Sequence, residues 1–329
     1  MGVPSPGDIR PDRSTLLAFV GVVLFGGLNS IGVRQTVHEL APFWGATIRF
    51  GMAGVIMAVV AVATRRSFPR GRGLIGAMLY GAVGIAGFYA FLYQGLRETS
   101  AGTAQVLVAL APLFTFFLAI AHGQERFRPQ GLAGALIALA GVAIIFADRV
   151  SANVPIGSMA LLVLGAVCTA EAGVIIKWTP RSDPFATNAV GMLTGTALLF
   201  LLSVLVGEPL AMPAQPATLI AIAYLIVFGS VGMFGLYVYA LRRWTASAVS
   251  YMALLLPLVT VTAAAILTGE RVTPSFLAGG AVILAGVYVG TFLKLRRTRP
   301  VPAGLPECVA ADIQMSVIAV PAATESGTA

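Results

Sequence analysis

Residues 111–142 read APLFTFFLAIAHGQERFRPQGLAGALIALAGV, and residues 256–287 read LPLVTVTAAAILTGERVTPSFLAGGAVILAGV. These two stretches align without a gap at an offset of 145 residues. They share proline, glutamate, arginine and glycine at matched positions, including Pro112 with Pro257. One offset that joins so many distinctive residues indicates that the chain contains an internal repeat.

The repeat extends upstream of both stretches. The same offset pairs Gly84 with Gly229, and an offset of 142 residues pairs Pro42 with Pro184. The two copies therefore differ by three residues in an intervening loop. We place the copies at residues 15–147 and 156–293.

The composition excludes a soluble protein. Of the 329 residues, 58% are hydrophobic and only 10% are charged, and the mean hydropathy is +0.90. Soluble domains contain about 25% charged residues. A bilayer core about 30 Å thick needs about 20 apolar residues per helix, and the chain contains ten such runs. They are predicted at residues 15–33, 43–63, 74–93, 104–121, 132–146, 156–176, 187–206, 219–240, 246–267 and 276–293.

Each copy of the repeat contains five of these spans. Because five is odd, the second copy crosses the membrane in the opposite direction to the first. We therefore predict an all-α integral membrane protein with ten transmembrane helices in two inverted five-helix repeats. Inverted repeats are typical of secondary transporters, which bind substrate near the bilayer midplane and work by alternating access.

The net charge of +8 indicates orientation rather than a nucleic-acid partner, because the basic residues lie in short loops instead of on one polar surface. When the loops are assigned alternately to the two sides, most Lys and Arg fall on one side. The exceptions are Arg34, Arg49, Arg97, Arg149 and Arg271. We therefore expect residues 1–14 and 294–329 in the cytoplasm. The tail 294–329 is predicted to be disordered, since it contains few large apolar residues.

Short motifs accompany the repeat. They are Asn29 in span 1, Pro42-Phe43 followed by Arg49-Phe50, Ala-Pro-Leu at 111–113, Leu-Pro-Leu at 256–258, and the turns at Glu125 and Glu270. With these motifs, residues 15–293 resemble the ten-helix EamA-type transporters of the drug/metabolite transporter superfamily. The resemblance implies transport, often export, of an amino acid or related small metabolite across the bacterial inner membrane. Efflux of drugs or amphiphiles is the alternative.

Glu171 is the acidic residue that lies well inside a predicted span, and the 142-residue offset pairs it with Asn29. A carboxylate inside the bilayer is costly, so it usually faces the bundle interior or a wet cavity. In the small multidrug exporters of the superfamily, a first-helix glutamate is the proton and substrate site, and the resemblance implies this role for Glu171. The alternative is a solvated side chain near the cytoplasm, beside Lys177.

Arg49 is predicted about 10 Å inside span 2, seven residues after Pro42. Its guanidinium could bind an anionic group of the substrate, or it could hold a partner such as Asn29. Alternatively, the side chain snorkels outward or stabilises helix packing. The counterpart of Arg49 in the second copy is Gly191, so its role is not shared by both copies.

Pro112 and Pro257 are predicted inside spans 4 and 9. There a proline removes a backbone hydrogen bond and frees a carbonyl, which should face protein or a cavity. We predict both prolines as hinges, with packing kinks as the alternative. Gln105 and Ser250 share their helix faces by spacing and are candidate cavity residues. Spans 3, 4, 8 and 9 should bound the cavity, with contributions from spans 1 and 6.

Tyr89, Tyr237 and Tyr251 are candidate lining residues, since an amphipathic ring can pack against a substrate and also supply one hydroxyl. Tyrosines at span ends are also common as interface anchors, so a structural role is the alternative for each. Glycines such as Gly84 and Gly229 are interpreted as close helix contacts.

The sequence contains no motif that indicates an enzyme. Its two histidines, His38 and His122, are predicted on opposite sides of the membrane, and a phosphate loop and a Gly-x-Ser-x-Gly elbow are both absent. We therefore expect no catalytic residue, metal or cofactor, and an intramembrane enzyme or receptor is disfavoured. The expected partners are a small-molecule substrate, the lipid bilayer and protons, with the oligomeric state left open.

Overall fold

The computed structural model describes residues 12–99, 101–147, 155–268 and 273–291. Within these ranges the regular structure is helical, without a strand, and ten helices are long and apolar enough to cross a membrane. They are α1 Arg13–Thr36, α2 Pro42–Ala63, α3 Arg72–Leu96, α4 Ala101–Val108 with Ala111–Ala121, α5 Pro129–Phe146, α6 Ile156–Trp178, α7 Pro184–Val206, α8 Pro216–Arg243, α9 Ala246–Ser250 with Met252–Thr268, and α10 Pro274–Thr291. The predicted fold class is confirmed. The tail 294–329, Glu270 and most of residues 1–14 lie outside the described residues.

Prolines and caps set the helix starts, which differ by a few residues from the predicted spans. Five of the ten helices begin with proline: α2, α5, α7, α8 and α10. Proline is favoured at the first helical position because the N–H that it lacks would have no partner there. α10 accordingly begins at Pro274 rather than at Phe276. α1 begins at Arg13 because the Asp12 side chain accepts a hydrogen bond from the Thr15 N–H.

The helices of the two copies pack in matching pairs. α2 packs against α7 and α5 packs against α10, so each of these helices contacts its own counterpart in the repeat. α3 packs on α6 and α7 of the second copy. Its counterpart α8 packs on α1 and α2, which are the counterparts of α6 and α7. The α5–α10 crossing is very close, since a Cβ added to Gly134 would lie 2.4 Å from the Gly290 Cα. The repeat in the sequence therefore sets the packing of the bundle.

α3 and α8 each contain a π-helical segment, which the sequence analysis did not predict. These segments are Gly81–Gly87 and Val227–Gly232. They occupy equivalent places, because the 145-residue offset carries Gly87 onto Gly232. The backbone N–H groups of a π-helix bond to carbonyls five residues earlier, and such segments occur frequently at functional sites.

α4 and α9 are both interrupted, although differently from the prediction. α4 breaks at residues 109–110, so Pro112 is the second residue of a new segment rather than an interior residue. The N–H groups of a first turn lack partners within the helix, so Pro112 removes none of its hydrogen bonds. α9 breaks at Tyr251, and only Pro257 lies inside a continuous segment. The hinge role of both prolines stays a prediction.

The loops define two faces of the bundle. We call the face at which α1 begins the terminal face, and the opposite one the distal face. The terminal face carries loops at residues 64–71, 122–128 and 179–183, and the distal face carries loops at residues 37–41 and 207–215.

Candidate transport site

Arg49 is a buried arginine that joins α2 to the π-helical segment of α8. The residue is only 3% exposed. Its Nε donates to the Ser230 Oγ at 2.8 Å, and its Nη2 donates to the Gly229 carbonyl, also at 2.8 Å. The guanidinium carbon lies 4.8 Å from the centroid of the Phe50 ring. Two edges of the guanidinium are thus fixed by neutral groups of α8.

The Gly229 carbonyl accepts a second hydrogen bond, from Asn29 on α1. The Asn29 Nδ2 lies 3.1 Å from the carbonyl oxygen. Asn29 and Arg49 therefore share one acceptor in the π-helical segment, which connects α1, α2 and α8. A Cβ added to Gly229 would lie 2.0 Å from the Asn29 Oδ1, so this junction requires glycine.

A narrow pocket lies beside Arg49 at the distal face, between α1, α2, α3 and α8. The pocket is partly open, and its volume of about 20 Å³ leaves room for about one water molecule. Arg49, Tyr89 and Tyr93 line one part of it, and the Tyr89 hydroxyl lies 3.5 Å from the Arg49 Nη1. This pocket shares α1, α3 and α8 with the walls predicted for the central cavity and adds α2, whereas the part of the predicted cavity bounded by α4 and α9 stays a prediction.

The second copy of the repeat makes a different contact where the first copy has Arg49. Its counterpart, Gly191 on α7, approaches α3 so closely that a Cβ added to Gly81 would lie 1.9 Å from the Gly191 carbonyl oxygen. α7 and α3 therefore meet backbone to backbone near the terminal face. Near the distal face, the guanidinium of Arg49 fills the corresponding space between α2 and α8.

Glu171 lies on α6 and faces His122, which directly follows α4. The Glu171 Oε1 is 3.5 Å from the His122 Nε2, and the two side chains are 26% and 41% exposed. Among the described residues, the basic side chain that faces Glu171 is therefore the His122 imidazole rather than Lys177. This pair lies near the terminal face, so the structure does not bring it together with Asn29 and Arg49.

Two of the candidate tyrosines pack between helices outside the pocket. Tyr251 is 2% exposed, and its hydroxyl donates to the Gly131 carbonyl of α5 at 2.7 Å. The Tyr237 hydroxyl lies 3.2 Å from where a Cβ of Gly173 on α6 would lie. Tyr89 lines the pocket, and a role of Tyr237 or Tyr251 in substrate binding stays a prediction.

The two polar residues predicted beside the prolines also lie away from Arg49. The Ser250 Oγ donates to the Ser247 carbonyl at 2.7 Å, within its own turn of α9. Gln105 has an exposed side chain on the distal segment of α4. Their role in a cavity stays a prediction.

Two carboxylates at the distal face each bind the start of a helix in the other repeat. Glu208, which follows α7, accepts hydrogen bonds from the Phe43 N–H at 3.1 Å and the Trp44 N–H at 2.8 Å in the first turn of α2. Glu39, which follows α1, accepts a hydrogen bond from the Ala214 N–H at 2.6 Å, just before α8. We call these two contacts the distal clasps. The Ala214 hydrogen bond is the main reason why the pKa of Glu39 lies below its ordinary value.

The model of the EamA-like transporter family matches this chain twice, over residues 13–147 and residues 157–292. The chain belongs to the EamA-like transporter family. This EamA-like protein is therefore an integral membrane transporter of the drug/metabolite transporter superfamily, as the sequence motifs predicted.

Curated relatives match this EamA-like transporter over most of their length. A probable amino-acid metabolite efflux pump of Salmonella typhimurium is 27% identical over 84% of this chain and 95% of its own. An uncharacterized inner membrane transporter of Escherichia coli K12 is 26% identical over 87% of this chain and 94% of its own. A solved crystal structure shares the fold with a TM-score of 0.76 at 19% identity, over 87% of this chain and 100% of that chain.

The sequence analysis of this transporter identified Arg49 and Glu171 but missed one partner of each. Ser230 accepts a hydrogen bond from Arg49, and His122 faces Glu171. Ser230 carried a usable signal, since it is a hydroxyl residue in an apolar span, directly after Gly229. The sequence predicted only on which side of the membrane His122 lies. Hydrophobic periodicity does not show that the turn after α4 folds against α6. That turn is held there by the Gln124 Nε2, which donates to the Val174 carbonyl at 2.9 Å.

Proposed function

We propose that this EamA-like transporter is a secondary transporter that exports an amino acid or a related small metabolite across the bacterial inner membrane. The terminal face is cytoplasmic in this proposal, because most Lys and Arg lie in the loops of that side. The substrate class and the direction of transport are supported by similarity to the probable amino-acid metabolite efflux pump.

The contact between α4 and α9 is the observation that carries the proposed alternating-access mechanism. At the terminal face, the segment Ala111–Ala121 packs on Ala246–Ser250. The Ser247 N–H also donates to Glu125 at 3.0 Å. At the distal face, the described parts of Ala101–Val108 and Met252–Thr268 form no extended interface with each other.

This asymmetry supports alternating access because the two repeats are inverted. If each copy adopted the conformation of the other, the contact between α4 and α9 would move from the terminal to the distal face. The breaks at residues 109–110 and at Tyr251 are the places where the two helices would bend.

Uptake into proteoliposomes tests the proposal. Purified protein should accumulate compounds from a mixed pool of amino acids and related metabolites, and empty liposomes should not. Accumulation of amphiphilic cations in place of all metabolites would favour the alternative, drug efflux. If neither class is transported under an imposed proton gradient or in exchange, the proposed function is wrong.

Glu171 is proposed as the proton-coupling residue. A carboxyl can bind a proton when it faces one side and release it toward the other, whereas its repeat counterpart Asn29 cannot titrate. Glu171→Gln should abolish accumulation driven by a proton gradient and largely retain exchange. Glu98→Gln on the distal side is the matched control. Full gradient-driven accumulation by Glu171→Gln would exclude this residue from coupling.

A further inference from the structure

Arg49 is a buried cation that has no carboxylate partner among the residues that the structure describes. The ion pairs of the described residues are Arg66–Asp183, His122–Glu171, Arg128–Glu125 and Arg243–Asp12, and none of them includes Arg49. Its short hydrogen bonds reach a hydroxyl and a backbone carbonyl, which are neutral. Because an unpaired buried charge is costly, proteins normally compensate it with a counter-ion.

The Nη1 edge of the guanidinium faces Tyr89, and both Arg49 and Tyr89 line the distal pocket. Nε and Nη2 are fixed on Ser230 and Gly229, so the plane of the group is set by α8. Among the hydrogen bonds of the described residues, Nη1 makes one, to the Tyr89 hydroxyl at the long distance of 3.5 Å. Arginine carries five N–H donors in a fork that matches a carboxylate. The pocket thus contains donors for an anion that the protein itself does not supply.

The rest of the pocket wall is largely apolar. Five of its apolar side chains come from α1, from the loop between α1 and α2, and from α8: Val33, Val37, Leu40, Ile222 and Leu225. No Asp or Glu is among the described residues that line it. A positively charged group would therefore meet no carboxylate among the described lining residues, whereas a hydrocarbon body would be favoured.

We infer that Arg49 binds the carboxylate of a transported compound with an apolar body, and that an amino group on that compound is not needed for binding. This inference rests on the proposed function, because the space beside Arg49 holds only a water-sized group, and a larger compound fits only when the helices around the pocket move apart during transport. It deepens that function by naming the recognised group and by widening the substrate class from amino acids to apolar carboxylic acids.

Ligand-induced thermal stabilisation of the purified protein tests the inference, since a compound that binds the native state raises its apparent stability. One probe set is leucine, 4-methylpentanoate and leucinamide. A second is phenylalanine, 3-phenylpropanoate and phenylalaninamide. In at least one set, the amino acid and the acid without the amine should stabilise the protein alike. The amide, which lacks the carboxylate, should bind about 10- to 100-fold more weakly.

Variants assign this binding to Arg49. Arg49→Gln should remove the stabilisation by both carboxylates, and Arg49→Lys should weaken it because a point charge replaces the fork. Arg97→Gln removes an exposed arginine outside the pocket and should bind as the wild type does. If Arg49→Gln does not fold, the ranking of the probes on the wild-type protein still decides the question.

The inference is overturned if the amides bind as well as the carboxylates, if removal of the amine abolishes binding, or if no probe stabilises the protein. It is also overturned if chloride alone gives the same Arg49-dependent stabilisation, since the site would then bind any small anion. These outcomes differ from failure of the proposed function. In that case, wild-type proteoliposomes would transport nothing from the mixed pool.

Discussion

Replacement of Glu208 should measurably loosen the contact between the two repeats at the distal face. α2 has Ala41 before its first turn, so it lacks a side-chain cap of its own. The carboxylate of Glu208 supplies that cap from the other repeat and also accepts a hydrogen bond from the Ser203 Oγ at 2.9 Å. Loss of a helix N-cap costs about 1 kcal/mol, and loss of a negative charge at a helix start costs about 0.3–1 kcal/mol.

These two contributions overlap, because the same oxygens make both. We therefore expect Glu208→Ala to lower the free energy of unfolding by about 1–2 kcal/mol, and Glu208→Gln by about half as much, since an amide oxygen still accepts one hydrogen bond. Equilibrium unfolding in mixed micelles measures both values. Ser203→Ala is the matched control, because it leaves both N–H bonds to α2 in place. Unfolding of Glu208→Ala within about 0.3 kcal/mol of the wild type would refute the assignment of Glu208 as a cap.

Three further predictions use other parts of the molecule. Cysteines at Ser67 on the terminal face and Met212 on the distal face, in a background without Cys168 and Cys308, should react with an impermeant reagent in intact cells only at position 212; labelling at position 67 would reverse the proposed orientation. The pKa of Glu39 is lowered in the folded state, so its clasp stabilises the protein at neutral pH and loses this effect as the pH falls below about 4. Glu39→Gln should remove that part of the acid sensitivity in thermal unfolding, and an unchanged pH profile would contradict the clasp. Pro257→Ala restores a hydrogen bond inside α9 and should slow transport more than it weakens substrate binding, whereas Pro112→Ala should have the smaller effect, because Pro112 lies in a first turn; equal rates for both variants and the wild type would exclude a hinge role.

The fold could be predicted because the sequence itself contains the features that determine it. The lengths of the apolar runs predict the spans, and prolines mark many of the helix starts. The 145-residue offset shows the repeat, whose counterparts α5 and α10 pack against each other. The π-helical segments could not be predicted, since Gly81–Gly87 and Val227–Gly232 contain the same small apolar residues as regular helices. They form where α3 and α8 lie against neighbours that are distant in sequence.

The candidate site was predictable only in part, and for a related reason. Arg49 is conspicuous as a charge inside an apolar span. One of its acceptors, the Gly229 carbonyl, belongs to the backbone, so the residue type does not identify it as a partner. Glu171 was equally conspicuous, and depth along α6 was its only sequence signal. The position of Glu171 along α6 did not predict its contact with His122, which directly follows α4.

The matched π-helical segments also order the events in the history of this gene. Both copies carry the segment at the same aligned position, so the simplest account places it in a single five-helix ancestor, before duplication and fusion. Such an ancestor would have inserted in both directions and paired with an inverted second copy of itself, with the same irregular turn of α3 at both junctions. Arg49 occurs in one copy only, and it therefore records a later divergence. The two equivalent positions, at Arg49 on α2 and at Gly191 on α7, acquired different chemistry at that step.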